Sequence, residues 1–185
     1  MSTAQQRPPS VTADELFAMS SNERYELVRG VLTVRERAGG RHGHIGAGIV
    51  ARLWLHVRQH DLGFVFTSAT GFHVARDPDT VRCPDVGFVR KARLPFGVPQ
   101  GYLPFGPELA IEILSPSNRS GEMKERLEDL FGAGTAVAWV IDPAKRRAMV
   151  RRADGTARLL GENDVLDGEE IVPGFQIRVA ELLEG

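Results

Sequence analysis

Apolar residues recur at two different periods along this chain, and the switches between them divide it into elements. Ile45, Ile49, Val50, Leu53 and Val57 follow helical spacing and predict an amphipathic helix over about residues 43–60. Met123, Leu127, Leu130 and Phe131 do the same over about 119–132, with Gly134 as a plausible terminator. Thr12-Ala13-Asp14-Glu15 has the form of a capping box ahead of Leu16, Phe17 and Met19, which predicts a short first helix. Tyr25–Val28 and Val31–Val34, joined by Arg29-Gly30, read as a hairpin. Shorter apolar runs at 64–67, 71–75, 86–89, 109–114, 137–141 and 148–151 read as strands. Turn residues at 77–79, 142–143 and 154–155 punctuate them, and residues 91–106, with three prolines and three glycines, read as a loop. A short helix is expected at 179–183. The order predicts an α/β or α+β fold, a mixed sheet covered by a few helices.

Composition narrows the function classes. With 42% hydrophobic and 25% charged residues the chain is an ordinary globular sequence. Its net charge of −1 excludes a constitutively basic nucleic-acid coat, so any DNA affinity must come from a local patch or a bound metal. The single cysteine, Cys83, permits no internal disulfide, which fits a cytoplasmic location; it reads as a small apolar strand residue. No apolar run approaches the roughly 20 residues of a membrane helix. Residues 1–10 are polar, lack a signal-like apolar stretch and are expected to be disordered, leaving 11–185 as one domain.

The chemistry begins at Leu109-Ala110-Ile111-Glu112-Ile113-Leu114. Both faces of this run are apolar except at Glu112, as in a central strand buried on both sides. A lone carboxylate there is costly unless it is paired or binds a cation. The plainer reading is a structural ion pair; the sharper one is a metal ligand. Asp85 follows Pro84 at the start of another apolar strand, where the plainer reading is a turn or cap residue. Two strand-borne carboxylates that converge suit a hard cation such as Mg²⁺ or Mn²⁺, which can polarise a phosphate and activate water. A nearby lysine or arginine would then offset transition-state charge.

Taken together, Tyr25-Glu26-Leu27-Val28-Arg29-Gly30, His42-Gly43, Pro84-Asp85-Val86-Gly87-Phe88-Val89, Glu112-Ile113-Leu114-Ser115-Pro116-Ser117, Trp139-Val140-Ile141-Asp142-Pro143 and Val172-Pro173-Gly174-Phe175 resemble the Uma-type putative restriction endonuclease family, a branch of the PD-(D/E)xK nucleases. The resemblance implies a restriction-endonuclease-like mixed β-sheet flanked by helices, a homodimer, and Mg²⁺- or Mn²⁺-dependent hydrolysis of DNA. It marks Glu26, His42, Asp85 and Glu112 as site residues, with Asp85 and Glu112 holding metal. His42 would orient a phosphate or a water, with His44 next door as a competing assignment. The superfamily's lysine two positions after the acid is Leu114 here. The family carries that lysine on the following helix, where it falls on Arg126, with Lys124 as the alternative. Helical geometry leaves both open, because they flank the apolar stripe on opposite sides. An arginine cannot deprotonate and holds its charge in a planar fork.

Other features are weaker. Lys145, Arg146, Arg147, Arg151 and Arg152 read as a solvated basic face, with phosphate contact as the less expected role. Arg35, Arg37 and Arg41 are expected to flank the mouth of the site. Glu26 could instead pair on the surface with Arg24 or Arg29. Trp54 and Trp139 read as core residues. The competing function is a catalytically weak or inactive nuclease fold serving as a binding or oligomerisation module.

Overall fold

The computed structural model describes residues 10–20, 23–35, 37–115 and 120–184. The expected disorder at the N-terminus and residues 116–117 of the Ser-Pro-Ser motif lie outside the described residues, apart from Ser10.

Helix α1 (Ala13–Ala18) opens with the reciprocal capping box of Thr12 and Glu15. It packs Ala13 and Leu16 on Leu27 and Val81. Strands β1 (Tyr25–Val28) and β2 (Val31–Val34) form the expected hairpin. Its two turn residues, Arg29 and Gly30, both have positive φ (49° and 78°), the combination a tight right-twisting hairpin requires. Helix α2 (Gly40–Gln59) begins three residues earlier than its apolar stripe suggests and buries Ile45, Ile49, Leu53 and Val57. Strands β3 (Gly63–Thr67), β4 (Phe72–Ala75), β5 (Thr80–Arg82), β6 (Val86–Arg90) and β7 (Leu109–Ile113) follow. The stretch expected to be a loop is one, apart from a 3₁₀ turn at Lys91–Arg93. Then come α3 (Ser120–Gly132), β8 (Val137–Asp142), β9 (Arg147–Arg152), β10 (Ala157–Gly161), β11 (Val165–Asp167), β12 (Gln176–Arg178) and α4 (Val179–Leu183).

The strands form a six-stranded sheet of order β10-β9-β8-β7-β6-β3, a four-stranded sheet of order β2-β1-β5-β4, and a small β11-β12 pair. Only β7 and β8, linked through α3, pair in parallel in the large sheet. The fold is therefore a mixed α+β architecture. Strand β7 lies inside that sheet and is buried at all five positions. Alternation along it sends Leu109, Ile111 and Ile113 to the face under α2. Ala110 faces the other side, where Leu127 and Leu130 of α3 pack with Ala138 and Val140. Each large apolar side chain buried this way contributes roughly 1.5–3 kcal/mol. Glu112 shares the α3 face with Ala110, so the acid in the run points at the helix that carries the candidate cations.

Trp139 is a core residue, 1% exposed and stacked on Phe175 at 6.1 Å. Trp54 is not: it is 44% exposed, one position around α2 from buried Leu53, with the Arg58 guanidinium over its ring at 5.0 Å. Among the described residues, no helix is long and apolar enough to cross a membrane.

Candidate active site

Asp85 and Glu112 stand on neighbouring strands. Val86 pairs with Ile111 in the antiparallel β6–β7 ladder, so Asp85, one residue before β6, comes alongside Glu112. Asp85 is 8% exposed, and its Oδ2 accepts the Ile113 N–H at 2.8 Å and approaches His42 Nε2 at 3.1 Å. Its Oδ1 accepts Arg35 Nη2 at 3.1 Å. Burial works against its charge, but the His42 and Ile113 bonds and the Arg35 charge outweigh it. Asp85 is thus held below the ordinary carboxylate range. The same bond raises the pKa of His42.

Glu112 differs from Asp85. It is 2% exposed; Arg126 Nη1 lies 3.3 Å from its Oε1, Arg35 adds a weaker attraction, and the charges of Asp85 and Glu26 oppose its own. Burial, helped by the two neighbouring carboxylates, outweighs the two arginines and pushes its pKa from 4.5 up to about 7. Its negative charge is under-compensated where it sits.

Glu26 is buried on the β1–β2 hairpin and is not paired as a surface residue with Arg24 or Arg29. Arg126 donates both terminal nitrogens to it, each at 2.7 Å, in a fork that fits the carboxylate plane. Arg82 adds a bond at 3.2 Å, the Cys83 N–H one at 2.7 Å, and Arg35 stands 3.8 Å away. Burial raises the Glu26 pKa, but the three arginines and the amide together bring it below the ordinary value. Burial also opposes the charge of Arg126, yet Glu112 and Glu26 raise its pKa. Lys124 points away: its side chain is 70% exposed and its ammonium pairs with Glu128 on the next turn. The orientation of α3 thus separates the two residues that helical spacing leaves open, bringing Arg126 to the acids and Lys124 to solvent.

Of the residues singled out in the sequence, Glu26, His42, Asp85, Glu112 and Arg126 converge, and Arg35 joins them by donating to Asp85 and to the Cys83 carbonyl. Arg37 and Arg41 are exposed beside the start of α2, with Arg41 reaching the Pro143 carbonyl at 3.4 Å. His44 is exposed one turn along. Arg82 and Asp129 are members that no sequence motif marks. Arg82, 6% exposed, bonds Glu26 and grips Asp129 of α3 through Nε and Nη2 at 2.8 and 2.6 Å. The available signal was its position at the end of a short apolar alternation just before Cys83-Pro84-Asp85. Cys83 is buried, and burial pushes its thiol up to about 12, which leaves it unreactive. In the distant basic cluster, Arg146 pairs with Glu162, Arg147 with Asp142, and Arg152 with Glu169, as on a solvated face.

Among the described residues, no three His, Cys, Asp or Glu side chains gather as a ready-made metal cage. Asp85 and Glu112 nevertheless make an all-oxygen pair, one of them carrying a buried and poorly balanced charge. That fits a hard divalent cation, which commonly takes one or two carboxylates and completes its shell with water and substrate phosphate.

No curated protein matches the sequence. The structure is similar to the crystal structure of a putative nuclease belonging to DUF820 from Anabaena variabilis ATCC 29413, with a TM-score of 0.81 and 18% identity over 94% of this chain and 97% of that one. At that identity the likeness shows a shared fold. The Uma2 family, described as a putative restriction endonuclease, matches residues 13–180.

Proposed function

The chain belongs to the Uma2 putative restriction endonuclease family, and from that premise we propose that it is a divalent-metal-dependent endonuclease hydrolysing phosphodiester bonds of DNA. The observation that carries the reading is the buried Glu112, with a pKa near 7, beside Asp85 on adjoining strands. Asp85 and Glu112 would hold Mg²⁺ or Mn²⁺. A cation bound there supplies Lewis acidity to a phosphate oxygen and eases loss of a proton from water.

The chain's own side chains then have distinct tasks. Arg126 offers fixed positive charge next to Glu112 and, as an arginine, serves as a clamp rather than a base. Glu26 holds Arg126 in its fork. His42, hydrogen-bonded to Asp85, orients that carboxylate and can present a proton to a phosphate or a water. Arg35 neutralises the outer oxygen of Asp85. Lys124 has no task in this scheme, since its ammonium is engaged on the solvent side of α3.

One observation favours the competing reading of a catalytically silent binding or oligomerisation module. Both terminal nitrogens of Arg126 are committed to Glu26, and only one reaches Glu112. Incubation of supercoiled plasmid and of RNA with the wild type, Glu112→Ala and Arg126→Lys in Mg²⁺ or Mn²⁺ separates the two. Metal-dependent cutting of DNA that Glu112→Ala abolishes supports the nuclease. A folded wild type that cuts neither polymer, with cutting gained in Arg126→Lys, identifies a nuclease silenced at its basic residue. No cutting by any of the three favours the module.

We also read residues 11–185 as one domain acting as a homodimer in the cytoplasm, where a chain with one buried cysteine needs no oxidising partner. Sedimentation at micromolar concentration tests the dimer; a monomer mass contradicts it.

A further inference from the structure

Arg82 and Asp129 have no task in the scheme above, yet they complete a closed circuit of charge. Asp129 accepts Arg82 Nε and Nη2 at 2.8 and 2.6 Å. Arg82 Nη1 donates to Glu26 at 3.2 Å, and Glu26 receives both ends of the Arg126 fork at 2.7 Å. Arg126 and Asp129 are three residues apart on α3, so they are neighbours on one helix face. The path Asp129, Arg82, Glu26, Arg126 therefore leaves α3 and returns to it within a single turn, passing through β5 and β1.

The packing under α3 explains why such a circuit is useful. Leu127 and Leu130 rest against Ala110, Ala138 and Val140. The larger side chains of that cluster, Val74, Leu114, Met123, Phe131 and Met149, are only partly buried around it; apolar packing is non-directional, so it holds α3 on the sheet without by itself fixing its roll. Directional charged hydrogen bonds on Arg82 and Glu26 resist rolling strongly, because a roll would break several at once. A roll of α3 would also swing Arg126 Nη1 away from Glu112.

We propose, resting on the reading of Arg126 as the cation of the site, that Arg82 and Asp129 are positioning residues that act through Glu26 to set the roll of α3 and aim Arg126 at Glu112. They touch neither Glu112 nor any group assigned to the substrate. Their effect on chemistry passes through Arg126.

The test reads Arg126 directly. A guanidinium forked on a carboxylate rotates slowly about its terminal bonds, so its Nη protons give separate signals in a ¹⁵N-resolved spectrum of the full chain, assigned by their loss in Arg126→Lys. In Asp129→Asn and in Arg82→Gln these signals are expected to merge, while Asp129→Glu keeps them apart. The indole signal of buried Trp139 should stay in place throughout, reporting an intact large sheet. Signals that remain separate in both Asp129→Asn and Arg82→Gln overturn the proposal. Should Arg82→Gln fail to fold, Asp129→Asn alters a half-buried helix position and carries the same decision alone.

Kinetics give a second reading. With a cleaving wild type, Asp129→Asn is expected to lower single-turnover kcat by roughly 10-fold or more with KM nearly unchanged, and to change kcat less than about 2-fold once Arg126→Ala is present. Equal losses in both backgrounds contradict action through Arg126. A wild type that cleaves nothing contradicts the nuclease reading, and the spectral test still decides the positioning claim.

Discussion

Replacing Glu112 by glutamine keeps the shape of the side chain and removes a charge that the fold tolerates poorly. Burial raises the Glu112 pKa from 4.5 to about 7. Between those values the folded chain holds a proton that the unfolded chain releases, so stability falls as pH rises through the window. Below about 4.5 both states are protonated and the penalty vanishes; above about 7 it is complete. The 2.5-unit difference (7 minus 4.5) corresponds to about 3 kcal/mol at 1.36 kcal/mol per unit. Glu112→Gln escapes that penalty, and whatever the buried amide costs is independent of pH. In EDTA, the stability of Glu112→Gln relative to wild type is therefore expected to improve by about 3 kcal/mol between pH 4.5 and 8. In a chain of this length that is a relative melting shift of roughly 6–12 °C. Urea titrations or thermal melts of both proteins across that range measure it. A stability difference that stays flat with pH would refute the reasoning, because it would mean that Glu112 ionises in the folded chain as easily as in water.

Other perturbations follow from the same geometry. Mn²⁺ affinity should tighten by about tenfold per pH unit below 7 and level off above it, since the metal must displace the Glu112 proton; calorimetric titration that shows no such slope counts against metal binding there. Asp85→Ala strands the Ile113 N–H, Arg35 and His42, and should cost about 2–4 kcal/mol in urea unfolding; a loss under about 1 kcal/mol would show that these groups find other partners. Arg126→Met leaves buried Glu26 short of its principal partner and should cost about 3 kcal/mol or more, which unfolding at neutral pH can check. Lys124→Ala should change stability by less than about 0.5 kcal/mol and leave cleavage untouched, because its pair with Glu128 is solvent-exposed.

What the sequence made legible follows local periodicity. The helical stripes fixed α2 and α3, the Thr12 box fixed α1, and the apolar run broken at Glu112 identified the central strand. Strands β5, β11 and β12, of three residues each, are too short to show a period, and β10 sets Leu159 and Leu160 side by side between Arg158 and Gly161, which gives no alternation. Trp54 was misread because it borders the α2 stripe, and a turn of one position carries it to the surface. The partners of Glu26 were illegible for a different reason. Arg82 and Arg126 are 56 and 100 residues away along the chain, and nothing local announces contacts at that separation. The choice between Lys124 and Arg126 likewise needed the placement of α3 over the sheet, since both flank the same stripe.

The proposed chemistry depends on a cation held by Asp85 and Glu112. The most direct measurement is anomalous diffraction from crystals of the wild type and of Glu112→Ala soaked in Mn²⁺ at about pH 8. An anomalous peak within coordination distance of both carboxylates is expected in the wild type and none in Glu112→Ala. A saturated, well-ordered wild-type crystal without that peak, or with the ion bound elsewhere, would contradict that chemistry.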